Sequence, residues 1–343
     1  MSGFLKDARE AACPSNALVA GIPGMGKKTL VEKALGETGE EVAVRVDCTN
    51  KVIEEIVAAL LERLLPGDPV PGRFFNRGLP SLWSTLRLAL GKAAEKLDNL
   101  TLLLYSINYV EDGYLDKFYQ LGKETRVHVV ATWDSIYSGV NGTGSFASQR
   151  ADFTVGLHAL EPRHLARLTR DRLRMALPFQ VAPEVPAFIA DLVDEFSVRA
   201  PGACVGLLRE VYPELKVDPD LPPDAIREKF KFHVSSVDVY PNELDLLSSI
   251  ERSDFLLKLF VSELQAKFHG RYYASVADLR QCFEVACENV GEVAREREFW
   301  EMVSCLRGMN ALFPSRVLKD RYYLLPSPAD LDRILDVIFT GGA

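Results

Sequence analysis

Four residues separate Gly21 from the pair Gly26-Lys27 in Leu18-Val19-Ala20-Gly21-Ile22-Pro23-Gly24-Met25-Gly26-Lys27-Lys28-Thr29-Leu30. An apolar run enters this stretch, and a helical pattern with Leu30, Val31, Ala34 and Leu35 leaves it. Strand, glycine turn and helix at this spacing suit phosphate: glycines let backbone N–H groups turn inward, and the new helix offers its positive end. Lys27 would reach the outer phosphates of a bound ATP. Gly21, Gly24, Gly26, Lys27, Lys28 and Thr29 are therefore the candidate cofactor-binding residues. One position departs from the pattern, which asks for Ser or Thr directly after the lysine so that its hydroxyl ligates Mg²⁺. Lys28 stands there and Thr29 comes one residue late. An ammonium cannot ligate a metal cation, so the loop suits nucleotide better than Mg²⁺.

Cleaving the phosphate needs more. A carboxylate at the tip of a neighbouring strand would hold the metal through water, and another would orient the attacking water. The buried-strand candidate Leu100–Leu104 ends in Tyr105-Ser106-Ile107-Asn108, where neither acid is found. Glu111 and Asp112 lie too far along a chain that advances ~3.3 Å per extended residue. No residue is assigned a catalytic role. Nucleotide binding without turnover and an empty architectural site both remain open.

Weaker candidates surround this loop. Thr132 closes the strand Val127–Ala131, where a polar side chain could sense the outer phosphate. Arg150 could act on a neighbouring subunit's nucleotide as an arginine finger, or be a solvated loop residue. Arg316, Lys319 and Arg321 sit on a hairpin pattern and could touch DNA phosphates, though three charges are few against the ~6–10 contacts of tight binders. The five histidines are scattered. The six cysteines form no CxxC pair and read as reduced thiols. No metal site is expected.

These residues need a scaffold, and the chain supplies one. Its 343 residues allow about two to three domains. A hydrophobic share of 48% permits a sizeable core, and a net charge of −8 disfavours a free-standing, strongly basic nucleic-acid binder. No signal-peptide core opens the chain and no apolar run reaches ~18 residues, so no membrane span is expected. After a short N-terminal helix ending near Pro14, strands at 18–21, 42–48, 100–104, 127–132 and 153–157 alternate with helices, which predicts a parallel sheet with helical crossovers. Asn50 is the expected cap of the helix carrying Val52 to Leu64. Helices alone follow from Glu161. A third section has a long helix over Leu246–Phe268, a capping box at Ser275-Val276-Ala277-Asp278, a helix over Glu296–Met309, and a hairpin over Leu312–Leu325. The expected architecture is α/β: a RecA-like αβα base over 1–160, an all-helical lid over 161–240 and a winged helix over 241–343.

This order resembles the AAA+ initiators of the origin recognition complex and Cdc6 family. Gly21-Ile22-Pro23-Gly24-Met25-Gly26-Lys27-Lys28-Thr29 resembles their phosphate loop. Leu102-Leu103-Leu104-Tyr105-Ser106-Ile107-Asn108-Tyr109-Val110 looks like their acidic strand with the acids replaced. Val129-Val130-Ala131-Thr132-Trp133 resembles the strand of their first sensor. Val140-Asn141-Gly142-Thr143-Gly144-Ser145-Phe146 is also similar to one branch, and Ser145–Arg150 to the arginine-finger segment of another. No sensor arginine stands near Gly202–Gly206. The resemblance implies a nuclear role in replication initiation, ATP as ligand, other origin-recognition subunits as partners and origin DNA bound within the complex. The rival readings are an active Cdc6/Orc1-like ATPase, a signalling P-loop NTPase with a winged helix, and a free-standing DNA-binding regulator.

Overall fold

The computed structural model describes residues 1–10, 13–37, 43–66, 78–97, 99–111, 113–134, 150–197, 199–234 and 243–340. The chain divides into two compact units, Met1–Ala159 and Leu160–Ala343.

The first unit is built on a parallel sheet of β1 (Asn16–Gly21), β2 (Ala43–Asp47), β3 (Thr101–Tyr105), β4 (His128–Asp134) and β5 (Phe153–Leu157), in the order β2-β3-β4-β1-β5. Parallel strands need crossovers, and helices at Lys27–Gly36, Ile53–Leu64, Leu79–Lys96 and Gly113–Thr125 lie between them in sequence. β1 is buried throughout because both faces are covered. Leu18, Leu102, Leu104, Val129 and Ala131 join the core formed with the helices at 53–64, 79–96 and 113–125. Their alternates Ala17, Val19, Leu103, Tyr105 and Val130 pack with Val31, Ala34 and Leu35 of the helix after the loop. The two-residue period of a strand makes this division.

The second unit is helical at first, with helices Pro162–Ala176, Glu184–Phe196, Pro201–Val217 and Pro223–Val234. Helices Glu243–Glu251, Phe255–Phe268, Val276–Val290 and Glu296–Gly308 follow, then the antiparallel pair β7 (Leu312–Pro314) and β8 (Arg321–Leu324) and the helix Pro328–Thr340. A two-residue strand β6 (Ala274–Ser275) pairs with β8, giving the order β6-β8-β7. Tyr273, Phe313, Tyr323 and Leu325 join the apolar core of the helices at 162–230, so this sheet packs against them.

Some expectations need correction. The helix expected over Leu246–Phe268 is two helices. Ser253 Oγ donates to Ile250 O at 2.6 Å, and Asp254 takes the extended cap conformation that starts the second helix. Asn50 is not a cap: it lies at φ 55, and the helix begins after Val52, whose N–H donates to Glu55 at 3.1 Å. The helix Pro201–Val217 runs through Pro213, beyond the break expected at Val211. The box at Ser275 forms as expected, with Asp278 N donating to Ser275 Oγ at 3.1 Å. Most of the Pro66–Pro80 loop, Asp112, the segment Val140–Phe146 and the 240/241 boundary lie outside the described residues. Among the described residues no helix is long and apolar enough to cross a membrane.

Candidate nucleotide site at the strand tips

The phosphate loop joins β1 to the helix Lys27–Gly36 as its spacing predicts. Gly24 and Gly26 both lie in the left-handed region, at φ 80 and φ 82, where a side chain is strained. The first helical bond runs from Leu30 N to Gly26 O at 2.9 Å. The amides of Gly26, Lys27, Lys28 and Thr29 therefore have no intrahelical acceptor, which suits phosphate oxygens. Gly21 has a different reason to be glycine. A Cβ there would meet Cβ and the carbonyl oxygen of Leu157, both at 3.0 Å, so its bareness lets β5 close on β1.

Lys27 is buried beneath this loop. Its Nζ donates to the carbonyls of Gly21 and Ile22, each at 2.8 Å, and pairs with Asp134 Oδ1 at 2.6 Å. Asp134 is the residue that sequence reasoning missed. β4 runs two residues past Thr132, and the register sets Asp134 opposite Gly21. An acid at that strand end was the available signal, but without the strand order nothing placed it beside the loop. The site thus contains a carboxylate, supplied from β4 rather than from β3.

The tips of β3 and β4 are tied together. Ser106, at φ 53, donates its N–H to Thr132 Oγ1 at 2.8 Å. Asp134 N donates to Asn108 Oδ1 at 2.8 Å. Thr132 is buried and its oxygen is engaged, leaving its hydroxyl hydrogen to donate.

Tyr105 stands where the β3 acid was expected. Its hydroxyl donates to Glu32 Oε1 at 2.5 Å, and Glu32 accepts from Arg45 Nε at 3.0 Å and its Nη2 at 3.1 Å. The hydrogen-bonded Arg45 guanidinium holds the Glu32 carboxyl below its ordinary range, while burial pushes the Tyr105 phenol up. Lys28 Nζ sits over the Tyr105 ring, 4.9 Å from its centroid.

The remaining candidates lie elsewhere. Arg150 pairs with Asp116 Oδ2 of its own unit at 2.9 Å. In the second unit, Arg316, Lys319 and Arg321 are exposed. Lys319 and Arg321 line a cavity of about 490 Å³ with Arg271, Tyr272 and Glu184. The turn that carries Arg316 is fixed by buried Asp191, which accepts from Arg316 N at 2.8 Å, Ser315 Oγ at 2.5 Å and Tyr273 Oη at 2.7 Å. Cys48, Cys204, Cys282 and Cys287 are buried free thiols, while Cys13 and Cys305 are exposed. Among the described residues no three His, Cys, Asp or Glu side chains cluster to hold a metal.

No family model matches the sequence, and no curated protein does. Solved structures do. The Cdc6p of Pyrobaculum aerophilum matches with TM-score 0.73 and 18% identity, over 95% of this chain and 86% of that one. The Orc1 protein of Aeropyrum pernix, solved in complex with DNA, matches with TM-score 0.51 and 17% identity, over 98% and 91%. The site at the strand tips is thus carried on a known scaffold, and the chain has the AAA+ fold of the Cdc6/Orc1 proteins.

Proposed function

We propose that this chain is a nucleotide-binding subunit of an origin recognition complex that turns ATP over slowly or not at all. One observation carries the reading: the phosphate cradle is intact, while both metal-holding positions are replaced and their substitutes, Lys28 and Tyr105, touch each other. Gly24, Gly26 and the amides through Thr29 would hold the phosphates. Lys27 would leave its carbonyl partners to meet them, and Thr132 would donate to the outer phosphate. Bound ATP would stabilise the ordered unit by mass action, and the chain would act by the surface it presents to neighbouring subunits in the nucleus. Among those subunits we read it as most like subunit 5, on the eroded acidic strand and the Val140–Phe146 stretch, with subunit 4 next. Arg150 would have to release Asp116 to serve a neighbour.

We read residues 241–343 as a winged helix that makes only auxiliary DNA contacts. Most charges of helix Glu296–Gly308 are paired locally, Arg295 with Glu298 at 3.0 Å, Arg297 with Glu301 at 2.8 Å, and Arg280 with Glu296. Arg316, Lys319 and Arg321 would add phosphate contacts inside the assembly.

A second reading, an active ATPase, is favoured by Asp134, the carboxylate beside Lys27. Two measurements separate them. Affinity purification of the tagged chain from its source cell should recover other initiator subunits. Purified protein, alone and with those partners, should hydrolyse ATP no faster than background. Consistent absence of initiator subunits would overturn the assignment, and turnover abolished by Lys27→Ala would favour the ATPase.

A further inference from the structure

The replaced metal site is not merely damaged. In a working phosphate loop the residue after the lysine gives Mg²⁺ a hydroxyl, and the neighbouring strand tip gives it a carboxylate. Here those positions hold Lys28 and Tyr105, and the ammonium rests on the ring face at 4.9 Å. The ring is fixed: it is 4% exposed, and its hydroxyl is anchored on Glu32, which Arg45 grips with two nitrogens. Glu32 lies one turn after Lys28 on the same helix, and Asp47 at the tip of β2 adds a second acid close enough to act on Lys28. The Lys28 head is exposed. A cation held on the Tyr105 ring thus joins the two positions that would otherwise supply Mg²⁺ ligands.

We propose that Lys28 substitutes for Mg²⁺, so that this chain binds a nucleoside triphosphate as its metal-free anion. The inference rests on the nucleotide-binding reading above and goes beyond it by naming the ionic form of the ligand. Metal-free ATP carries more negative charge than its Mg²⁺ complex. Lys28 adds a second cation beside Lys27, which Asp134 pairs at 2.6 Å, and neither lysine can ligate the metal. Mg²⁺ delivered with the nucleotide would meet Lys28 as a like charge, with no hydroxyl or strand-tip acid to coordinate it from either replaced position.

The test is equilibrium binding of a fluorescent N-methylanthraniloyl ATP to the full chain, followed by anisotropy in excess Mg²⁺ and in EDTA. The expected result is an affinity in EDTA equal to or higher than that in Mg²⁺. Lys28→Thr restores the metal-binding hydroxyl and should reverse the order, weakening binding in EDTA by about threefold to tenfold. Lys28 is exposed, and a thermal melt of the variant checks that it folds. Binding that requires Mg²⁺ in the unaltered chain overturns this proposal alone. Failure to bind the probe in either condition overturns the nucleotide-binding reading and this proposal with it.

Discussion

Asp134 Oδ1, at the tip of β4, lies 2.6 Å from Nζ of Lys27, the first residue of the helix after the phosphate loop, and both side chains are largely buried. The lysine that a bound phosphate would need is therefore already engaged by a carboxylate. Phosphate and carboxylate compete for one ammonium, and the resident partner lowers apparent affinity. Asp134→Asn should free the lysine and tighten ATP binding about fivefold, the equivalent of ~1 kcal/mol for one charge-assisted bond. Titration calorimetry on both proteins measures this. An unchanged affinity would mean that Lys27 does not contribute to the ligand.

The glycines divide by role. Gly21→Ala would push a methyl group to 3.0 Å from Leu157 Cβ and carbonyl oxygen, and should destabilise the first unit by about 1–3 kcal/mol. Gly26→Ala meets no atom but must hold φ 82. It should cost ~1 kcal/mol and weaken nucleotide binding by distorting the loop. Urea unfolding paired with ATP titration separates the two. Equal effects of both variants on binding would sink the distinction.

Glu32 gives the site an acid-sensitive anchor. Arg45 holds its carboxyl below the ordinary 4.5 in the folded chain. Its contribution is thus complete above that value and is lost as pH falls through the lowered folded pKa. The melting temperature of the unaltered protein should exceed that of Glu32→Gln at neutral pH, and the gap should close as the pH falls below 4.5 through the lowered folded value. A gap that widens on acidification would contradict this sign.

In the second unit, Asp191 holds the turn between β7 and β8 by accepting from Tyr273, Ser315, Arg316 and Val317. Burial raises its pKa and these four donors oppose the rise. Asp191→Ala strands several buried donors and should cost ~3 kcal/mol. It should also speed amide exchange at Arg316 and Val317, read by hydrogen exchange and mass spectrometry. Unaltered exchange there would show that the turn is held by other contacts.

The residues on one short stretch carried much of this protein. The glycine spacing of 21–26, the helix pattern after it and the apolar strands at 100–104 and 127–132 are local, and periodicity within a window suffices to read them. That Lys28 and Tyr105 stand where Mg²⁺ ligands are expected was legible too, because both positions are fixed by covalent spacing from Lys27 and the strand. What replaced them was not legible. Lys27 finds Asp134 only because β4, far along the chain, is laid beside β1, and Lys28 finds Tyr105 only because the helix after the loop packs on the same sheet face as β3's odd residues. Asp191 reaches the turn at 315–317 in the same way. Periodicity settles which face of an element is apolar, but strand order and packing are cooperative properties of the whole sheet, and they alone decide which charges meet.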